Sequence, residues 1–200
     1  MLAGGILMNL PNKLTIFRII LIPFFILILA LPIFSGSTVV AGTAVSYTRW
    51  AATIIFIVAS LTDFLDGQIA RRQHLVTNFG KFADPMADKM LVMTAFIFLV
   101  QLKEAPAWVI VIIVCRELAV TGLRLIVVEN DGKVVAAAWP GKIKTTTQML
   151  AIIFLLLNNI FFAAINFPFA QLMLYICLFF TIYSGIDYFV QNRDVFSDSF

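Results

Sequence analysis

The sequence predicts an all-α integral membrane protein of six transmembrane helices. Two observations carry the membrane part of that expectation. Hydrophobic residues make up 62% of the 200 residues and charged residues only 12%, against roughly 45–50% and 25% in globular proteins. Mean hydropathy is +1.00, more apolar surface than one soluble domain of this length can hide. A third observation sets the number of helices: long charge-poor runs recur at the length of a bilayer crossing. The same composition excludes a disordered chain, a disulfide-rich secreted scaffold and a nucleic-acid binder. Cys115 and Cys177 both fall in apolar runs and read as lipid- or core-facing thiols rather than a disulfide or metal pair.

The first span covers about 14–34, with Arg18 near its start. The second covers about 50–71, the third about 82–102 and the fourth about 105–129. From Thr145 to Ile186 no residue is charged, which leaves room for two spans of about 20 residues. Asn158, Asn159, Asn166 and Pro168 mark the turn between them. The runs are continuous rather than alternating, so a β-barrel does not fit. Lys13, Arg18, Arg71, Arg72, Lys81, Lys133, Lys142, Lys144 and Arg193 gather around one set of alternate connections, and Arg49 and Lys103 around the other. That bias predicts a multi-pass cell-membrane protein with both termini cytoplasmic. Span one has the basic start of a signal peptide, but five further spans follow it. Residues 1–200 read as one membrane domain without an internal repeat, and uncharged Met1–Pro11 is expected at the membrane surface. Trp50, Trp108 and Trp139 near span ends read as an aromatic belt.

Charges near membrane spans are costly and therefore point to function. The stretch DFLDGQIARRQHLVTNFGKFADPMADK holds four aspartates. Asp63 and Asp66 are spaced i, i+3 and Asp84 and Asp88 i, i+4, so each pair shares a helix face. A short basic connection makes the two helices antiparallel neighbours with both pairs at the cytoplasmic end. Four carboxylates in a low dielectric repel one another, and either shared protons or bound cations relieve that. Hard carboxylate oxygens suit Mg²⁺, Mn²⁺ or Ca²⁺, and two bridged metals suit displacement at phosphorus. The plainer alternative is a salt bridge from each Asp to Arg71, Arg72, Lys81 or Lys89. Gly67, Ala70 and Gly80 punctuate the cluster, either for close approach of a ligand to the backbone or for tight helix packing.

The pattern Asp63-x2-Asp66-Gly67-x2-Ala70-Arg71-x8-Gly80-x3-Asp84-x3-Asp88 resembles the signature of the CDP-alcohol phosphotransferases at all eight specified positions. The resemblance implies six helices around a cytoplasm-facing cavity, in a homodimer. NLPNKLTIFRIILIP (Asn9–Pro23), CRELAVTGLRL (Cys115–Leu125) and GKIKTTTQM (Gly141–Met149) are similar to the bacterial members that transfer a phosphatidyl group from CDP-diacylglycerol to sn-glycerol 3-phosphate. By this resemblance Asp63, Asp66 and Asp84 hold the metals, and Asp88 completes the cluster and acts as general base. Gly67, Ala70, Arg71 and Gly80, with Asp63 and Asp66, form the nucleotide site. Two Mg²⁺ or Mn²⁺ ions, both substrates and the membrane lipids are the implied cofactors and partners.

That chemistry needs charge neutralised on a pyrophosphate and a proton taken from an alcohol. It needs no histidine, and His74 reads as a solvated loop residue. A dianionic acceptor phosphate needs cations. Arg116, Arg124, Lys142 and Lys144 are the candidates. Glu117, Thr121 and Arg124 follow i, i+4, i+7, a polar stripe. At 1.5 Å per residue Arg124 lies about 7 Å from the cytoplasmic end and Arg116 about 20 Å. The plainer readings are an Arg116–Glu117 structural pair and topological anchoring by Lys142 and Lys144. Asn12, Thr15 and Arg18 open span one and are expected near the nucleotide or lipid headgroups. Asp187 is expected to pair with a cation or to meet water. Glu129 and Asp131 read as solvated loop. Two rival functions remain: the same chemistry on inositol phosphate, serine or phosphatidylglycerol, and a cation- or proton-coupled transporter. The transporter would place its charges near the midplane of two related halves.

Overall fold

A computed structural model describes residues 10–31, 33–73, 78–129 and 139–193. Among these residues six α-helices account for most of the chain: α1 (Leu10–Ala30), α2 (Tyr47–Gln73), α3 (Asn78–Gln101), α4 (Ala107–Glu129), α5 (Trp139–Leu156) and α6 (Phe169–Gln191). The helices correspond one to one with the expected spans but are shifted at their ends. α5 begins at Trp139, so Lys142 and Lys144 ride on the helix rather than in the connection before it. Arg71, Arg72 and Lys81 likewise belong to helix ends, and Arg49 to the first turn of α2. Lys and Arg are good helix formers with long stems, so an apolar run ends before its helix does. Met1–Asn9, His74, Asp131 and Lys133 lie outside the described residues.

One element was not anticipated. Between α1 and α2 lies a two-stranded hairpin, β1 (Ser37–Val40) and β2 (Thr43–Ser46). Its two-residue loop puts Ala41 at φ 49° and Gly42 at φ 78°, the positive values that match strand twist. Gly36, at φ 104°, has no room for a side chain, since a Cβ would lie 2.8 Å from Tyr47 Cε2. The Trp50 indole donates to Thr38 Oγ1 at 3.1 Å and the Thr48 hydroxyl to the Phe34 carbonyl at 3.1 Å. These bonds tie the hairpin and its lead-in to the start of α2.

α1 and α6 bury polar side chains among apolar ones and turn large apolar side chains outward. On α1 the buried positions include Thr15, Arg18, Ile22 and Phe25, while Phe17, Ile20, Phe24 and Leu27 are exposed. On α6 Thr181 and Ser184 are buried, while Leu172, Tyr175, Phe179, Ile182 and Ile186 are exposed. Polar groups inside and an apolar stripe outside suit a hydrocarbon solvent. Hydroxyls are hidden in the same way. Thr53, Thr62, Thr121 and Ser184 each donate to the carbonyl four residues back, at 2.6–2.7 Å, an outlet that needs no water. Among the described residues, α1 from Asn12 to Ala30 and the whole of α6 are long and apolar enough to cross a membrane.

The chain divides into two compact units, residues up to Phe98 and residues from Leu99 on, with Ala41–Thr43 of the hairpin grouped with the second. In the first, α1 and α2 run antiparallel: Arg18 meets Asp63, and one turn-pair further along Phe25 meets Phe56, ring centroids 6.4 Å apart. Phe98 of α3 completes this core, edge-on to Phe25 at 6.3 Å. In the second unit α4 and α6 run the same way, since Trp108 faces Tyr175, Arg116 meets Ser184 and Arg124 covers Tyr188. α5 packs on α6 in the opposite sense, with Phe154 of its last turn edge-on to Phe169 of the first turn of α6.

The turn between α5 and α6 uses the asparagines as expected. Asn158, Asn159 and Asn166 adopt positive φ of 53–54°, which Asn tolerates best after Gly. Asn159 also holds the start of α6. Its Oδ1 accepts from the Ala170 N–H at 3.0 Å and its Nδ2 donates to the Phe167 carbonyl at 2.7 Å. The otherwise orphaned Ala170 N–H of the first turn is thus satisfied from eleven residues upstream.

Candidate active site

The aspartate signature spans the end of α2 and the start of α3. Asp63, Asp66, Gly67, Ala70 and Arg71 lie on α2, and Gly80, Asp84 and Asp88 on α3. Only residues 74–77 separate the helices. Asp63 stands ten residues before the end of α2 and Asp88 ten after the start of α3, about 15 Å of helix in each case. Asp66 and Asp84 stand seven and six residues from the same ends, about 10 Å. The aspartates thus form two tiers at matched depth along the two helices. The side chains of Asp66, Gly67, Ala70, Arg71, Gly80 and Asp84 lie outside the described ones.

Asp63 Oδ1 is 2.8 Å from Arg18 Nη1. The Arg18 side chain is wholly buried, whereas that of Asp63 is 38% exposed. A cation thus reaches Asp63 from α1; the side chains of Arg71, Arg72 and Lys81, named in the plainer sequence reading, lie outside the described ones. A buried guanidinium needs a carboxylate partner, and Asp63 keeps an open side while serving as one. Asp88 is half-buried and has a polar partner. Among the described residues no three His, Cys, Asp or Glu side chains gather. The donor set of the signature, carboxylate oxygens throughout, fits a hard divalent cation.

The four candidate cations of the second unit do not form one cluster. Arg116 Nη1 lies 3.1 Å from Glu117 Oε1, and Lys144 Nζ bonds to that same oxygen. Lys144 is buried. Arg116 Nη2 donates to Ser184 Oγ at 2.9 Å, and the Ser184 hydroxyl donates in turn to the Phe180 carbonyl at 2.6 Å. Lys142, two residues from Lys144 and so on the other side of α5, is exposed with its ammonium 5.3 Å from the centroid of the Trp139 ring. Arg124 is exposed, its guanidinium carbon 5.6 Å from the centroid of the buried Tyr188 ring. Thr121 turns its hydroxyl back to the Glu117 carbonyl, and Glu117 turns to Lys144. Asp187 finds Gln191 Nε2 at 2.8 Å.

Sequence reasoning passed over Ser184 and Gly185. Gly185 of α6 lies against Arg116 of α4, where an added Cβ would be 3.0 Å from Arg116 Cγ. The adjacent small pair in YSGIDY was the available signal, since small residues let membrane helices and long side chains approach.

The sequence profile described as CDP-alcohol phosphatidyltransferase matches residues 8–183. The chain belongs to this family. CDP-diacylglycerol–glycerol-3-phosphate 3-phosphatidyltransferase of Bacillus subtilis is 50% identical over 191 residues, 96% of this chain and 98% of that one. The Haemophilus influenzae protein of the same name is 39% identical over 186 residues, 90% and 91% of the two chains. The Escherichia coli K12 protein is 39% identical over 153 residues, 74% and 76%. With its outward apolar helices, this family member is a membrane protein.

Proposed function

We propose that this protein transfers the phosphatidyl group of CDP-diacylglycerol to sn-glycerol 3-phosphate, releasing CMP and forming phosphatidylglycerophosphate. The single observation that carries this is 50% identity along nearly the whole of a relative so named, with the eight-residue signature intact. All six helices cross the membrane, with a polar cavity and both termini on the cytoplasmic side. The antiparallel α1–α2 pair, and α5 reversed against parallel α4 and α6, support alternating crossings. Residues 1–200 act as one functional domain, in a homodimer.

The roles of individual residues follow from their chemistry. Asp63, Asp66, Asp84 and Asp88 hold two divalent ions, Mg²⁺ or Mn²⁺. Bound there, the ions neutralise charge on the pyrophosphate. Asp63, Asp66, Gly67, Ala70, Arg71 and Gly80 bind the cytidine nucleotide, the small residues leaving the backbone approachable. The Asp88 carboxylate accepts the proton of the acceptor hydroxyl as its oxygen bonds to phosphorus and the bond to CMP breaks. Arg116, Arg124, Lys142 and Lys144 attract the acceptor phosphate, with half-buried Arg116 and buried Lys144 supplying the greater part. Cations chosen for a dianion favour a phosphorylated acceptor over serine.

The test is incorporation of radiolabelled glycerol 3-phosphate into lipid by purified protein. Label should enter lipid only with CDP-diacylglycerol and a divalent ion present. Equal incorporation of inositol phosphate or serine would reassign the acceptor, and no incorporation of any alcohol would end the reading.

A further inference from the structure

We infer that Glu117 is the positioning residue of the acceptor-phosphate site, an inference that rests on the function proposed above. Its Oε1 holds Arg116 Nη1 and Lys144 Nζ, one from its own helix and one from α5. Two cations attached to one oxygen cannot move independently, so their spacing is set before any ligand arrives. Arg116 is fixed from the far side as well. Its second nitrogen donates to Ser184 Oγ, and its stem lies over Gly185. The surroundings are apolar. A cavity of about 450 Å³ between α4 and α6 flanks Arg116, with Cys115, Ala119, Ile182 and Ile186 in its wall. Electrostatic interactions are strong in such a place.

The charge count gives the substrate class. Arg116, Lys144 and Glu117 sum to one positive charge inside the unit. Like-charged Arg116 and Lys144 would repel without the carboxylate between them. With it, they stay together and still carry one net positive charge, which attracts a phosphate monoester anion and not a neutral or zwitterionic alcohol. Glu117 therefore acts through the two cations. It sets where the phosphate sits, not the chemistry at the transferred phosphorus.

The experiment is steady-state kinetics of Glu117→Gln, Glu117→Asp and Ser184→Ala beside Arg116→Ala and Lys144→Ala, on purified protein with Mg²⁺. Glu117→Gln keeps the shape and removes the charge. It should raise KM for glycerol 3-phosphate about tenfold, the loss of one charge-assisted contact, and leave KM for CDP-diacylglycerol within twofold. Glu117→Asp should restore part of the acceptor KM. Ser184→Ala, which leaves the carboxylate in place, should move acceptor KM in the same direction by about threefold, and it serves where a Glu117 variant does not fold. If Arg116→Ala and Lys144→Ala raise acceptor KM while Glu117→Gln and Ser184→Ala do not, the positioning role is wrong and the acceptor site stands. If none of the five changes acceptor KM, the acceptor site itself is misplaced. A Glu117→Gln effect confined to kcat, or equal on both substrates, overturns the inference.

Discussion

The two compact units handle buried charge in opposite ways. In the first, a wholly buried cation, Arg18, meets a carboxylate that remains 38% open, on a helix pair carrying four aspartates. In the second, one carboxylate, Glu117, is shared by two cations. Each satisfies the rule that a buried charge needs a partner, and locally the partners are unequal in number: four signature aspartates lie on the helix pair that Arg18 meets, and two cations share Glu117. The first has carboxylate to offer to cations, and the second has cation to offer to an anion. A lone ion pair is neutral and carries no such message. Imbalance is what points to a ligand.

The largest effect should come from the acidic excess. Changing Asp63, Asp66, Asp84 or Asp88 to Asn replaces an anionic oxygen by an amide. Each variant should lose about a thousandfold or more of lipid-forming activity while still purifying as folded protein. A chelator should do the same, reversed by Mg²⁺ or Mn²⁺. Full turnover in metal-free protein would reduce the acidic tiers to structural salt bridges.

The cationic side should divide along the burial seen here. Lys144→Ala and Arg116→Ala should raise KM for glycerol 3-phosphate by about 10- to 150-fold, the worth of a charge-assisted hydrogen bond in a desolvated site. Arg124→Lys should be impaired less, because it keeps the charge and loses the planar stacking on Tyr188. Lys142→Ala should stay within about threefold, since an exposed charge is screened. Equal effects at Lys142 and Lys144 would show that burial does not sort these cations.

A stability measurement probes the first unit without substrate. Arg18→Met removes a buried charge and strands Asp63, whose open side lets water compensate in part. Unfolding in detergent should shift by about 1–3 kcal/mol, below the 3–5 typical when a fully buried pair is broken. The double variant Arg18→Met/Asp63→Asn should recover some of that loss. No recovery would mean that the pair is not coupled. The smallest effect belongs to neither excess. Asn159→Ala removes the contacts that cap α6 and should cost about 0.5–2 kcal/mol, with KM for both substrates unchanged.

Much of this was legible in the chain itself. Apolar runs near 20 residues announce their helices because lipid demands continuous hydrophobicity and internal backbone bonding. The asparagine-rich break between α5 and α6 is readable because few residues accept positive φ. The aspartate signature is readable because its spacing is local to two helices joined by four residues. The hairpin was not, since its eight strand residues carry no strong alternation and only Ala41-Gly42 marks the turn. The cationic site was half legible. Residue type and depth along a helix nominated Arg116, Arg124, Lys142 and Lys144, but not which of them share a partner. That depends on side chains 27 and 68 residues apart in sequence. Composition and periodicity determine which residues are helical and which charges are out of place in lipid, because both are properties of one segment. Only the packing of α4, α5 and α6 decides that Arg116 and Lys144 meet at Glu117 while Lys142 faces outward, because a helix face acquires its environment from its neighbours.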